Sequence, residues 1–536
     1  MPRFLALLLT ATAALGAGLL ASGCDSSITG TPYANQPPTT QLSVRVADLR
    51  ETLDGTLTST VEAAWSGTDP DGLVVAYEVR TYDASRLGQI GPEELWSRTT
   101  RRDSTILLRI PPGQSTAAVA LEVRAIDDRG AKDPNPARTV FPVRNSPPAL
   151  ALARAEAPAD TTWPVFSFAY RATDPDGPAD LAGVEVAFNQ TDTWTRLPPG
   201  DFVTFVAENP RATGETGARV FLGRGFQNAG LTVPGLRLGA ANVVYFRAAD
   251  AAEATSPVVR FPQEDTETFF VRAVRSDVLL VNDFRATAAP VVMGFHREAL
   301  RRYGTTTWDE WDLSRTPQTA NNPRYSAGLP ASADPTLRQT LALWPRIYWV
   351  SNAATNRTRG NNLPLAASVM DLFFQRGGRL LVQVPISLPL SGDESENAGN
   401  AALNILPLQD LIALPQGSTA LRVRANTPLR PDAPVPGGAA LPALRATQVI
   451  TGALPYVTGF DDVPLYRVQF FDPRNNQDWT GSDVVASLSG DRRVGLFALT
   501  PVSTATGAPL YVPAEPGGPD LYDAFARLLA GLDFPR

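Results

Sequence analysis

Two short stretches of this chain crowd carboxylates around a turn. TDPDG sets Asp69 and Asp71 either side of a proline and before Gly72, and AIDDRG places Asp127 and Asp128 side by side. A second TDPDG supplies Asp174 and Asp176, and FRAAD adds Asp250. Carboxylate oxygens on neighbouring loops suit Ca²⁺, which takes about six to eight oxygen ligands. The same pentapeptide also makes a good turn with no ion, because proline fixes φ and glycine accepts positive φ. Both readings stand at this level.

Other reactive chemistry is sparse. The chain has one cysteine, Cys24, and one histidine, His296, in 536 residues. Structural and catalytic zinc sites need three or four nitrogen and sulfur ligands, so the usual ones are excluded. A Ser, His and Asp triad would have to use His296, which sits in the helical pattern GFHREAL and reads as a partly buried helix residue. No GxSxG elbow is present, so Ser387 in ISLPLSG reads as a loop residue. No glycine-rich phosphate cradle supports a nucleotide cofactor. Paired-carboxylate hydrolysis stays open, since 54 acidic residues offer many pairs. A net charge of −7 gives no basic footprint, which argues against nucleic acid as a partner. Lys132 is the only lysine, and the other basic residues are arginines.

The elements that must carry the aspartates read as β-strands. QLSVRVAD, LTSTVEAAW, LVVAYEVRTYD, ELWSRT, STILLRI, AAVALEVRAID and RTVFPV form seven short runs separated by turn residues. Seven strands in about 100 residues predict an immunoglobulin-like sandwich over 41–145. The texture then repeats: the TDPDG motifs are offset by 105 residues, and NQPP at Asn35 returns as NSPP at Asn145, an offset of 110. Repetition at that period predicts a second sandwich over 146–275, with 190–235 as an elaborated Gly- and Pro-rich loop. Trp65 at the end of the second run, Tyr77 in the third and LEVRAIDDRG resemble fibronectin type III domains. Val119 and Tyr170 depart from that family's pattern, so immunoglobulin-like is the broader description. In a sandwich the loops carrying Asp69, Asp71, Asp127 and Asp128 lie at one end, which makes these four the candidate calcium ligands.

After 275 the periodicity changes. SDVLLVNDF, RIYWVSN and RLLVQVP are near-continuous apolar strands, with the helical runs VVMGFHREALRRYG and LPLAASVMDLFFQRGG between them. Strand and helix in alternation predict an α/β domain with a mainly parallel sheet over 276–536. VGLFALTP and the helix DLYDAFARLLAGLDF close it, and 415–445 reads as a Pro-rich excursion. The order of these runs and the GGRLLV turn resemble the class I glutamine amidotransferase-like fold. That family uses a cysteine after a strand, and none is available here, so the resemblance implies a catalytically silent relative. Ligands of open parallel sheets bind beyond the carboxyl ends of strands, which here carry Asn282, Asp283, Arg285, Ser351 and Asn352. These can hold a small ligand or a sugar, or serve as caps and loop tips. Trp308 and Trp311 in TTWDEWDL can stack on a sugar or fill a core.

The N-terminus has Arg3, an apolar run from Phe4 to Leu20, and small residues before Cys24, the layout of a secretory signal. Leu20, Ala21, Ser22, Gly23 and Cys24 resemble a bacterial lipoprotein signal, which implies cleavage at 1–23 and a lipid on Cys24. A membrane-spanning helix and an ordinary secretory signal are the alternatives. Residues 24–40 read as a polar tether. The sequence thus predicts a multidomain chain: two all-β immunoglobulin-like sandwiches, then an α/β domain. The expected role is non-catalytic binding or scaffolding at the bacterial cell envelope, anchored in a membrane, with an envelope protein or a carbohydrate as partner. An envelope hydrolase and a calcium-rigidified adhesion module are the alternatives. No cofactor beyond Ca²⁺ is implied.

Overall fold

The computed structural model describes residues 34–45, 60–107, 116–178, 180–284, 286–314, 329–330, 332–352, 362–386, 401–414, 418, 420–435 and 440–536. Cys24, Arg285 and Ser387 lie outside them. The chain divides into two compact units, Met1–Arg144 and Asn145–Arg536.

All seven runs expected in the first unit contain strands: β1 (Thr39–Arg45), β2 (Thr60–Thr68), β3 (Val74–Asp83), β4 (Ser97–Thr99), β5 (Asp103–Leu107), β6 (Thr116–Asp127) and β7 (Ala137–Arg144). They form two antiparallel sheets, β1-β2-β5 and β4-β3-β6-β7. Alternate residues face inward, so Ala63, Trp65, Tyr77, Leu121, Val123 and Ala125 make the core. Trp65 meets Tyr77 edge-on at 6.4 Å. Truncating either ring to alanine would cost about 3–5 kcal/mol. The outer face of the second sheet carries charge. Arg80 pairs with Glu122, Arg124 with Glu78 and Glu93, and Lys132 with Glu93 at 2.6 Å. The Trp96 ring lies between Arg80 and Arg124, each guanidinium 4.2 Å from its centre.

The second sandwich is built from β8 (Ala149–Leu152), β9 (Val165–Thr173), β10 (Leu181–Phe188), β11 (Thr195–Leu197), β12 (Phe202–Ala207), β13 (Gly214–Leu222), β14 (Gln227–Leu238), β15 (Val244–Asp250) and β16 (Val259–Phe261). Their sheets are β14-β13-β12-β9-β8 and β11-β10-β15-β16. The core is aromatic, with Phe166, Phe168, Phe188, Phe205, Phe246 and Phe261 in mostly edge-to-face contact. The span 190–235, expected as a loop, instead supplies four strands. Gly214, Gly217, Gly230 and Gly235 misled because they belong to strands, where register shifts break the β13–β14 ladder. Gly235 adopts φ +90° with Phe188 O 3.1 Å from where a Cβ would stand, so only glycine fits there.

The region after 275 is not the mainly parallel α/β domain that was expected. Strands dominate it, and its sheet is mixed. Parallel pairing is confined to β17 (Val278–Asp283), β18 (Asp309–Asp312), β19 (Arg346–Ser351), β20 (Arg379–Gln383) and the later Val494–Phe497. From there the sheet continues antiparallel through β21 (Pro428–Pro431), β22 (Leu444–Ala446), β23 (Val463–Val468), β24 (Val484–Leu488), β25 (Val494–Phe497) and β26 (Tyr511–Pro513), in the order β25-β24-β23-β21-β22-β26. The 415–445 excursion therefore contributes β21 and the start of β22 to the sheet. Both faces of the sheet are covered, which the near-continuous apolar strands require. Val278 and Leu280 face the helices α1 (Ala289–Tyr303) and α2 (Leu521–Gly531). Leu279 and Val281 face Trp344, Leu363, Met370 and Phe373. The second expected helix is two short ones, Leu363–Ala367 and Asp371–Gln375, followed by Gly377 at φ +77°. Among the described residues no helix is long and apolar enough to cross a bilayer.

Candidate functional site

The two sandwiches repeat one polar arrangement at one end. In the first, the Asn35 amide donates to Asp127 Oδ2 at 2.6 Å, and the Ala131 N–H donates to Asp127 Oδ1 at 2.7 Å. The Gln36 N–H donates to Asp71 Oδ1 at 3.2 Å, and the Asp71 N–H to Asp69 Oδ1 at 3.3 Å. In the second, Asn145 donates to Asp250 Oδ2 at 2.6 Å and the Ala254 N–H to Asp250 Oδ1 at 2.8 Å. The Ser146 N–H donates to Asp176 Oδ2 at 2.7 Å, and the Asp176 N–H to Asp174 Oδ1 at 2.8 Å. Every donor and acceptor type has its counterpart, so the repeat in the sequence is a repeat in geometry.

In the first sandwich the turns converge over a glycine. A Cβ on Gly72 would stand 2.6 Å from both Asp69 Oδ2 and Asp128 Oδ1, which close over the bare backbone. Asn35 Oδ1, Asp69 Oδ2 and Asp71 Oδ2 are buried without a hydrogen-bond partner. Burial pushes the Asp127 carboxyl up, but the Asn35 amide and the N–H groups of Ala131, Arg129 and Gly130 outweigh it and hold it below the usual range. Arg129 places its guanidinium 3.5 Å from Asp71 Oδ2.

The second sandwich goes further. Asp180, which the sequence did not single out, joins Asp174 and Asp250 so that one oxygen of each lies within 4.8 Å of the others. Two ligands on opposite sides of a Ca²⁺ are about that far apart, since Ca–O distances run roughly 2.3–2.6 Å. Asp180 and Asp250 are buried, at 6% and 0% exposure. Burial first, then the neighbouring charges of Asp176, Asp180 and Asp250, push the Asp174 carboxyl up to about 7 against the pull of the Asp176 N–H. Its Oδ2 is buried with no hydrogen-bond partner. Where the first sandwich has Asp128 and Arg129, the second has Ala251 and Ala252. An all-oxygen donor set of this kind fits a hard cation, Ca²⁺ before the transition metals.

The structure gathers Asn282, Asp283 and Ser351 at the carboxyl ends of β17 and β19, with Asp283 opposite Ser351. Their polar groups hold the chain together. Asn282 donates to Asp312 Oδ1 at 3.1 Å. Asp283 is fully buried and accepts from Asn362 N and Nδ2, both at 2.8 Å, and from Leu363 N and Trp349 Nε1, both at 3.2 Å. Burial raises its carboxyl to about 6, against the pull of these donors. Ser351 is buried and Asn352 half-buried. Trp311 is buried in the core on one face of the sheet, and Trp308 packs at the margin of the core on the other. His296 is fully buried, with Nδ1 2.5 Å from Tyr348 OH, and burial holds its ring down to about 3 despite Gln383 on its other side.

The sequence missed Asp180, Asn35 and Asn145 as members of the site. The asparagines were visible as the repeated NQPP and NSPP, and their matched offset was the available signal. For Asp180 the only hint was the lengthened turn PDGPAD.

Modular sandwiches with polar loop ends, joined to a mixed sheet, are the class these observations define. Solved structures that resemble parts of the chain include sandwich modules. They include the PKD1 domain of Vibrio anguillarum Epp (18% identity, 21% of this chain, 98% of that one, TM-score 0.13). The PKD1 domain of the Vibrio cholerae metalloprotease PrtV is similar at 16% identity, over 20% of this chain and 99% of that one, with TM-score 0.13. Clostridium thermocellum CbhA fibronectin(III)-like modules match at 12% identity, over 40% of this chain and 86% of theirs, with TM-score 0.15. No family model and no curated protein matches the sequence.

Proposed function

We propose that the protein is a non-catalytic scaffold of the bacterial cell envelope, anchored by a lipid on Cys24, whose sandwiches are stiffened by Ca²⁺. Its C-terminal domain, whose run order resembles a silent amidotransferase-like fold, meets an envelope protein or carbohydrate. The anchor rests on LLASGC, and the cation on the convergence of Asp174, Asp180 and Asp250 within 4.8 Å, with a buried Asp174 oxygen that no hydrogen bond satisfies. A bound cation would neutralise the crowding that raises Asp174 and supply the contact its Oδ2 lacks. Asp176 and Asn145 flank the ion and hold the loops that present it. The second sandwich is the stronger site. In the first, Arg129 already brings positive charge to Asp71, and no such guanidinium stands in the second sandwich's matching loop.

Calcium titration of the full chain, freed of metal with EDTA, tests this reading by calorimetry. At an excess of about 100-fold over Kd, binding adds about 2.7 kcal/mol and raises the melting temperature of the second unit by about 3–5 °C. Asp250→Asn should lose most of the shift. A melting profile indifferent to calcium and EDTA would end the proposal.

A further inference from the structure

The second sandwich is gripped by several separate segments of the region after 275. The linker 272–277 is fastened along its length. The Arg272 N–H donates to Thr162 O at 2.8 Å, and its guanidinium lies 4.1 Å over the Trp163 ring while donating to Glu310 O at 2.7 Å. The Val274 N–H returns to Pro210 O at 2.9 Å. Asp309, buried at the start of β18, accepts from the N–H groups of Arg275 and Ser276 at 2.9 and 3.2 Å and from Trp344 Nε1 at 2.9 Å.

Side chains complete the join. Trp163 of the sandwich meets Trp344 at 4.6 Å and Trp311 at 6.3 Å, both edge-on, and belongs to the hydrophobic core beneath the C-terminal sheet. Ser167 Oγ, on β9, lies 2.5 Å from Thr336 Oγ1 and 2.8 Å from Thr204 Oγ1, and all three residues are buried. Leu343 packs against Val165, Val206 and Phe221 of the sandwich. Domains within a chain move relative to one another by default, except where their interface is large and apolar. This interface is apolar, aromatic and continuous with a core.

We propose that residues 145–536 form one cooperative folding body, locked by Asp309 and the Trp163, Trp311 and Trp344 cluster. The second sandwich is thus the base of the C-terminal body rather than a spacer. Cooperative units of this kind open together in native-state hydrogen exchange.

The test uses the full chain. Amides of β9 and β12 should lose protection at the same denaturant concentration as those of β17 and β19. Trypsin should cut after Arg272 and Arg275 no faster than the whole unit opens. Asp309→Asn keeps the shape of the side chain but weakens its hold on the linker, and should speed cleavage there by about tenfold with the strands still protected. Sandwich amides exchanging at lower denaturant than sheet amides in the unaltered protein would overturn the proposal, whatever the variant does. So would an unchanged cleavage rate in a folded Asp309→Asn chain.

Discussion

Asp174 is where proton and cation meet. Its carboxyl titrates at about 7 in the folded chain, well above the usual carboxylate range, because it is buried among Asp176, Asp180 and Asp250. The folded state therefore keeps a proton that the unfolded state releases. Without a cation, stability should fall as pH rises from about 4 to about 7 and level off above that. Calcium needs the ionised form, so its affinity should drop as pH falls below 7, approaching tenfold per pH unit. Titration calorimetry at pH 8 and pH 6 reads this directly, and Asp174→Asn should flatten the dependence. Asp283 is a carboxylate with a different task. Removing it in Asp283→Ala strands four donors, the buried N–H groups of Leu363 and Trp349 and two from half-buried Asn362, and should cost about 3 kcal/mol in denaturant unfolding. The sequence named both residues, because an acidic residue at a strand end or in a tight turn stands out by type. It did not show that Asp283 would be spent on the chain. That depends on Asn362, which lies 79 residues away.

At the scale of elements, each sandwich hides a charged row beneath a tryptophan. Trp96 lies between Arg80 and Arg124, and Trp194 covers Arg247 at 4.3 Å, where Arg247 pairs with Glu185. A lysine cannot stack flat on an indole while also forking to two carboxylates, so Arg124→Lys should destabilise the first sandwich by about 1–2 kcal/mol in thermal or urea unfolding. Nothing in LEVRAID announces this, because Glu122 and Arg124 fall where alternation places ordinary solvent-facing residues. The same alternation is why the seven strands of the first sandwich were legible. The parallel strands were legible for the opposite reason, being apolar on both faces, as in the fully buried run from Val278 to Asp283. The antiparallel half of the C-terminal sheet escaped notice. Its strands are short, proline falls in or beside several of them, and Leu429 acquires its meaning only by pairing with Val468.

Across the whole molecule, the chain has one thiol, one compact unit ending at Arg144 and a second beginning at Asn145. Cys24→Ser should move the protein from the membrane fraction to the soluble one, read by fractionation and by mass spectrometry of the processed N-terminus. Only ten residues separate Cys24 from Asn35. Fully extended, they span about 35 Å, so an acylated chain would keep its first sandwich close to the bilayer. One last property follows from Lys132, whose ammonium is held by Glu93 and Glu78 in the first sandwich. With its N-terminus acylated, the protein would offer amine-directed reagents a single address, and a slow one. The contact with Glu93 raises the pKa of that amine. A fluorophore or cross-linker attached there would report on the loop between β6 and β7, beside the aspartates of the first sandwich.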